Sequence, residues 1–519
     1  MMARRMTFED VVAMRQRSQP LAGGIAPTTC SGFFKRGENA TRARSKNFDH
    51  RLSLESILRE PATLKAAGAD LTSGVVSLAT GRPSPEYYPL ADISFGFSKS
   101  QRCQSKKVAA TERPSQVGQH FPSCVSPDSL PVALSYGYSQ GSEVNIRFLT
   151  EHMELVHDPP YANWEVCMTA GNTSAIEHAL RMFCSRGEYV LTEEYTYSGF
   201  LEAIKPLGVR CASIEMDGEG MSADHLEAVL STWDSRKEGA PKPFLLYTIP
   251  TGQNPTGVTQ STQRRRDIYA VAERHDLVII EDDPYYYLHY PPQTKVANTC
   301  TDLSSEEQYL HNLPASYLSM DISGRVLRLD SASKILAPGL RCGWMTANSD
   351  LIKKILSHHD VGIVSPSGLT QLMMESLLED TWGHEGFACW LLNLRNQYLQ
   401  RCQILLTACE PHLPKEICSW QSPEAGMFLW IKIDWRNHPF AYSCGGTEAL
   451  EEIFNAIEHS IFSTALSKGS LICKGSAFHG STRAPVHMFI RLTFATASPK
   501  ELVVAIERLG DAVREEFCI

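Results

Sequence analysis

Nowhere in the 519 residues does an apolar run approach the 18 or more that a membrane span requires. The opening MMARRMTFEDVVAMRQRSQP lacks the apolar core of a secretory signal, so neither insertion nor secretion is expected. Its 15 cysteines fall singly, with no C-x-x-C pair and no Cys/His ligand spacing. That excludes a disulfide framework and a structural zinc site, predicts no metal, and favours a reducing compartment. Nor is there a basic excess: Lys plus Arg is 49 against Asp plus Glu 58, a net charge of -9. A protein whose main partner is nucleic acid is not expected to look like this. Internal repeats and low-complexity blocks are also missing. What remains is an ordinary globular balance, 43% hydrophobic and 21% charged, in a chain long enough for about two to four domains. The cytoplasm is the expected compartment. A mitochondrial presequence stays open because Arg4, Arg5, Arg15 and Arg17 fit an amphipathic helix, although Glu9 and Asp10 are wrong for an acid-poor leader.

The first seventy or so residues are polar and weakly periodic (TRARSKNFDHRLSLES), which reads either as an arm lying on something else or as a disordered tail. From Phe95 to Asp128 the chain is hydrophilic and aperiodic, the pattern of a long surface insertion. A second polar insertion begins at Thr301. From Asn163 onward, short apolar runs (WEVCMTA, YVLTE, FLLYTIP, LVIIEDD, RVLRLDS) alternate with amphipathic stretches such as SAIEHALRMFCSR and QRRRDIYAVAERHD. Such alternation predicts an α/β fold with a parallel sheet covered on both faces. After Leu369 the pattern turns helical and then mixed through FLWIKIDW and MFIRLTFA, as expected of a smaller α+β domain.

Ligands of open parallel sheets collect at the carboxyl ends of the strands, so the residues just after the apolar runs carry the functional signal. WEVCMTA is followed by Gly171, Asn172 and Thr173 and then a helix, which suits a phosphate at the helix N-terminus or an ordinary N-cap. FLLYTIP leads into TGQNPTG, placing Asn254 in a turn at the sheet edge. LVIIEDD ends on Asp282 and Asp283. An uncompensated carboxylate there would be costly, so at least one needs a cation, while Asp283 also fits a solvated cap. DSASKILAPGLRCGW then offers Ser331, Ser333, Lys334 and Arg341 within eleven residues. Two hydroxyls, an amine and a guanidinium suit a dianionic phosphate beside a Schiff-base lysine. The apolar ILAPGL after Lys334 would draw it inward and lower its pKa.

These segments occur in one order, and with them the chain resembles the fold-type I pyridoxal-phosphate aminotransferases. Within that class YTIPTGQNPTG, EDDPYYYL, DSASKILAPGLRCGW, PEAGMFLWI, LSYGYSQGSEVNIRFL and RLGDAVREEF are similar to the fungal and yeast aromatic and the kynurenine/2-aminoadipate aminotransferases. The resemblance runs from about residue 70 to the end and implies a large, mostly parallel seven-stranded sheet domain between helices plus a smaller α+β domain. The expected division is an arm at 1–70, the first part of the small domain with its insertion at 71–135, a large cofactor domain at 136–368, and a C-terminal small domain at 369–519.

The resemblance implies pyridoxal 5'-phosphate as cofactor, with Lys334 joined to its aldehyde and later carrying the substrate α-proton. It implies Asp282 at the pyridine nitrogen, Tyr285 and Asn254 at the ring hydroxyl, and Tyr197 on the ring face. Asn172, Thr173, Ser331, Ser333 and Arg341 would hold the phosphate, with Tyr136 reaching across from a second subunit, so a homodimer with shared sites is expected. Arg491 matches the arginine for the substrate carboxylate. Gly81 matches a backbone contact to substrate, together with Asn254. Arg82 stands where the family usually has an apolar residue. It would favour an acidic or polar substrate side chain if it faces the site; otherwise it is a salt bridge at the loop base.

The activity implied is transfer of an amino group from an aromatic amino acid to a 2-oxo acid such as 2-oxoglutarate, by a ping-pong mechanism. The polar insertions and the changed substrate loop point towards specialised biosynthesis. Donors of the 2-aminoadipate or kynurenine type, and lyase or decarboxylase chemistry on the same fold, stand as alternatives.

Overall fold

The computed structural model describes residues 5–21, 29–60, 62, 81–98, 120–124, 129–291, 304–442, 447–481 and 485–519. Its strands in chain order are β1 (Ser94–Ser98), β2 (His120–Cys124), β3 (Trp164–Thr169), β4 (Tyr189–Glu193), β5 (Arg210–Ile214), β6 (Met216–Asp217), β7 (Gly220–Met221), β8 (Leu245–Thr248), β9 (Val278–Asp282), β10 (Val326–Ser331), β11 (Gly343–Asn348), β12 (Cys418–Trp420), β13 (Phe428–Ile433), β14 (Cys473–Lys474) and β15 (Met488–Thr493). Seven of them make one sheet in the order β3-β11-β10-β9-β8-β4-β5. β10 with β9 and β4 with β5 and β8 run parallel, whereas β11 is antiparallel to both β10 and β3. The expected mostly parallel α/β sheet is therefore present. Continuous burial of β8 and β9 explains why FLLYTIP and LVIIEDD read as apolar runs.

The chain divides into two compact units, one of residues 1–185, 278–284 and 299–392, the other of 186–277, 285–298 and 393–519. In the first, the helices Glu143–Val156, Asn172–Phe183 and Ser349–Gly362 pack on β3, β10 and β11. The arm joins this unit. Its helix Phe8–Arg17 opens with a capping box between Thr7 and Asp10, and Arg15 bridges Glu151 at 2.5 Å and Glu379 at 2.6 Å. Further on, the N–H of Lys46 donates to the Ser323 carbonyl and that of Ser53 to the Met182 carbonyl, both at 2.8 Å. The described part of the arm lies on the unit, and the alternative of a disordered tail does not apply to it.

In the second unit a four-stranded antiparallel sheet, β12-β13-β15-β14, faces the helix Pro499–Phe517. Leu502, Ile506, Leu509 and Val513 recur along that helix on one face and meet Leu429 and Ile431 of β13 and Ile490 and Leu492 of β15. The mixed pattern read in FLWIKIDW and MFIRLTFA corresponds to β13 and β15 of this sheet, while residues 369–392 belong to the first unit and 186–277 to the second.

Three differences from expectation have clear causes. β1 and β2 pair in register from Ser94 with Cys124 to Ser98 with His120, so the first insertion has a ladder at its base; residues 99–119 lie outside the described ones. The second insertion is helical over Ser305–His311 and Tyr317–Met320, with a Ser304/Glu307 capping box and Tyr309, Leu310 and Tyr317 buried. Its polar composition hid an anchor of four buried residues, Tyr309, Leu310, Leu313 and Tyr317. Finally, ten described cysteines are free but Cys389 is disulfide-bonded, a bond that the scattered cysteine spacing did not indicate. Among the described residues no helix is long and apolar enough to cross a membrane and no group of side chains is set to hold a metal ion.

Candidate active site

The first unit gathers the residues after β3, β9 and β10. Gly171 ends the β3 connection at φ 87°, a conformation that favours glycine, and caps the helix Asn172–Phe183. A Cβ there would stand 2.6 Å from Nη2 of Arg341, so the guanidinium lies against the glycine backbone. Arg341 is itself left-handed at φ 47°, with Nη1 donating to the Pro338 carbonyl at 2.9 Å and towards the Ser333 hydroxyl at 3.4 Å. A guanidinium beside the positive end of a twelve-residue helix is unfavourable unless an anion lies with them. The donor set of helix N–H groups, Ser331, Ser333 and Arg341 fits a phosphate.

Asn172 connects this cradle to the strand ends. Its Nδ2 donates to Asp282 Oδ1 at 2.7 Å and to the Leu329 carbonyl at 3.2 Å, while its Oδ1 is buried without a hydrogen-bond partner among the described residues. Gly343 makes room for it, because a Cβ there would meet the Asp330 carbonyl at 2.6 Å and Asn172 Oδ1 at 3.0 Å.

Asp282 is 4% exposed and Asp283 1%. The cation expected near them is Arg328, which lies 3.3 Å from Asp283, 3.1 Å from Glu281 and 2.8 Å from Asp330. Asp283 is thus a buried structural anion and not a solvated cap. Burial raises the Asp330 carboxyl to about 6, against the pull of Arg328 and with the help of the Glu281 and Asp282 charges. Ser331 caps the short helix Ala332–Ile335 by accepting from the Ser333 N–H at 3.2 Å, which sets Lys334, half-buried, one residue further on. Thr173 is exposed at the start of its helix.

The second unit holds a separate group. The turn after β8 presses on the loop before β13: a Cβ on Gly252 (φ 55°) would lie 2.7 Å from the Gly426 nitrogen, and one on Gly257 (φ 70°) 2.6 Å from the Phe428 carbonyl. This close approach explains the two glycines of TGQNPTG and holds Asn254, which is 6% exposed. Arg491 stands on β15 opposite Trp430 and Cys473. Its Nη1 donates to Asn254 Oδ1 at 2.7 Å, leaving the Asn254 Nδ2 for another acceptor. The guanidinium carbon lies 4.5 Å from the Phe428 ring centre and 4.6 Å from that of Phe478. Burial lowers the Arg491 pKa, with Cys473, Tyr285 and Tyr197 acting in the opposite sense. Tyr285, 3% exposed, meets Phe428 edge to face at 5.6 Å. The Tyr197 ring lies over Gly199, where no Cβ would fit.

The expected residues therefore fall into two groups, Asn172, Thr173, Asp282, Ser331, Ser333, Lys334 and Arg341 in one unit and Tyr197, Asn254, Tyr285 and Arg491 in the other. Tyr136 is 59% exposed on the first unit. Gly81 and Arg82 are exposed; nothing lies within 4 Å of a Cβ on Gly81, and no ion pair of Arg82 occurs among the described residues. Sequence reasoning missed Gly199, Arg328 and Phe478, and quoted Phe428 without a role. Only Phe428 carried a signal, its place two residues after Gly426.

Comparison with known proteins agrees with this architecture. The family model described as aminotransferase class I and II matches residues 135–509. The chain is 40% identical to aminotransferase swnA of Arthroderma benhamiae over 475 residues, covering 91% of this chain and 92% of that protein. It is 37% identical to an aromatic amino acid aminotransferase of Schizosaccharomyces pombe, over 92% of this chain and 99% of the other. The crystal structure of aminotransferase Aro8 from Candida albicans matches with a TM-score of 0.81 and 34% identity, over 92% of this chain and 100% of that one.

Proposed function

The chain belongs to the class I and II aminotransferases, and from that premise we propose that it moves the amino group of an aromatic amino acid to a 2-oxo acid such as 2-oxoglutarate. Amino acids and 2-oxo acids as substrates, and pyridoxal 5'-phosphate as cofactor, follow from the family. The observation that carries the reading is the Arg341 guanidinium held against Gly171 at a helix N-terminus, with the buried Asp282 tied to that helix through Asn172 at 2.7 Å. An aromatic donor is supported by the relative from S. pombe.

When bound, the cofactor supplies an electron sink that makes the substrate α-proton acidic. Asn172, Thr173, Ser331, Ser333 and Arg341 would hold its phosphate, and the buried carboxylate of Asp282 would keep a proton on its ring nitrogen. Asn254, through the Nδ2 that Arg491 leaves available, and the Tyr285 hydroxyl would donate to the ring hydroxyl. Tyr197 would cover one ring face. Lys334 Nζ would take the proton from the substrate α-carbon and return it, and Arg491 would hold the α-carboxylate. The exposed Tyr136 would complete the site of a partner subunit, making the homodimer the working unit.

The test is an absorption titration of the holoenzyme with phenylalanine, tyrosine, tryptophan, 2-aminoadipate and kynurenine in turn. Bleaching of the yellow chromophore by aromatic donors at the lowest concentrations, reversed by 2-oxoglutarate, is the expected outcome. Preference for 2-aminoadipate would overturn the donor assignment. Bleaching without recovery, with ammonia or carbon dioxide released, would overturn transamination itself.

A further inference from the structure

An arginine that recognises a carboxylate works only if its planar fork is held in one orientation, and the long side chain of Arg491 supplies little of that restraint. The surroundings do. The guanidinium carbon lies 4.5 Å from the Phe428 ring centre and 4.6 Å from that of Phe478. Phe478 is 2% exposed and Phe428 8%, and Tyr285 braces Phe428 edge to face at 5.6 Å. One edge of the fork is occupied, because Nη1 donates to Asn254 Oδ1 at 2.7 Å. The Nε, in contrast, is buried and has no hydrogen-bond partner among the described residues. A buried donor left unmatched is costly, so this atom marks where an acceptor belongs.

We propose that Phe428 and Phe478 are positioning residues that clamp the Arg491 guanidinium between them, so that only its Nε/Nη2 edge is presented, in plane, to the substrate α-carboxylate. This rests on the reading of Arg491 as the carboxylate-binding residue. With both rings within 5 Å of the guanidinium carbon and Nη1 engaged by Asn254, the Nε/Nη2 edge is the bidentate approach the clamp would leave. A planar carboxylate satisfies it with two parallel N–H···O bonds, whereas an ammonium at this position would neither stack nor fork. The rings also exclude water from the guanidinium, which accords with the burial-driven lowering of its pKa.

The experiment compares Phe478→Leu, Phe428→Leu, Phe478→Tyr and Arg491→Lys with the parent holoenzyme, reading kcat and KM separately and, by calorimetry, the Kd of 3-phenylpropionate, which carries the carboxylate without an amine. Each Leu variant should raise KM and the Kd of the acid about tenfold, with kcat within twofold, and Phe478→Tyr should retain parent values because the ring face survives. Arg491→Lys should weaken both constants further. If Arg491→Lys does so and neither Leu variant does, the clamp is wrong while the carboxylate assignment stands. If Arg491→Lys leaves both constants unchanged, the underlying assignment falls. A Leu variant that lowers kcat and thermal stability, or a Tyr variant as weak as Leu, would show packing alone and overturn the proposal.

Discussion

Asn172 donates its Nδ2 to Asp282 across 2.7 Å, tying the first residue of a helix to the last residue of β9. The helix whose N-terminus would hold the phosphate and the carboxylate that would face the ring nitrogen are thus set against each other by a single amide. Replacing Asp282 with Asn keeps an acceptor for Asn172 but removes the negative charge. Turnover is expected to fall roughly 10²–10³-fold, while cofactor retention after dialysis, read by absorbance, stays near the parent level. Full turnover would remove Asp282 from the mechanism.

Gly171→Ala tests the cradle. The substitution sets a Cβ at φ 87°, 2.6 Å from Arg341 Nη2, which costs about 1–2 kcal/mol in backbone strain and pushes the guanidinium away. Fluorescence titration should show cofactor affinity weakened by tenfold or more, with the circular dichroism spectrum unchanged.

Lys334→Ala should leave a folded protein that turns over roughly 10²–10⁴-fold more slowly or worse. It should also lack the yellow chromophore after incubation with pyridoxal 5'-phosphate. Stopped-flow absorbance and steady-state rates check both points.

The docked arm makes a stability prediction. Arg15 reaches Glu151, a carboxylate 1% exposed, and Glu379. His384 keeps Glu151 at 2.9 Å when Arg15 is removed. Arg15→Ala should therefore cost about 1–3 kcal/mol in urea unfolding and expose the helix Phe8–Arg17 to proteolysis, with kcat unaffected.

Acid sensitivity should trace partly to two histidines. Burial pushes His358 down to about 4 and His359 down to about 3, with the Arg59 charge adding to the first and the His178 charge to the second. Since the unfolded chain titrates near 6.5, it binds more protons than the native state in the window from about 6.5 down to about 4 for His358 and about 3 for His359. The stability these groups contribute is complete above that window and lost as pH falls through it. Glu154 and Glu375, raised to about 7 by burial, act in the opposite direction. Comparing His359→Leu with the parent isolates the histidine, and its urea midpoint should fall less steeply between pH 6.5 and 4.5.

The sheet and the strand-end residues were legible because a buried strand is mostly apolar and stops where polar chemistry begins; WEVCMTA before Gly171 and LVIIEDD before the turn both follow this pattern. The motif order then supplied roles that composition alone left open. Asp283 shows what was not legible. Its cation, Arg328, lies inside RVLRLDS, where a strand arginine looks like a surface residue, and only β10 beside β9 makes it a partner. Phe478 is similar: nothing in GSAFHG announces a ring that covers a guanidinium thirteen residues on. The helices of the second insertion were not legible because its buried Tyr309, Leu310, Leu313 and Tyr317 are too few to form a period.

The reversal of β11 has a kinetic meaning. Ser331 and Gly343 are paired across it, so Ser331, Ser333, Lys334 and Arg341 reach a common edge through a closure of a dozen residues, with no crossover helix needed. Loops of that size close fast and at small entropic cost. The stretch from Val326 to Asn348 is thus a local hairpin, and four of the residues proposed to face the cofactor depend on one short segment for their mutual placement and on no distant strand.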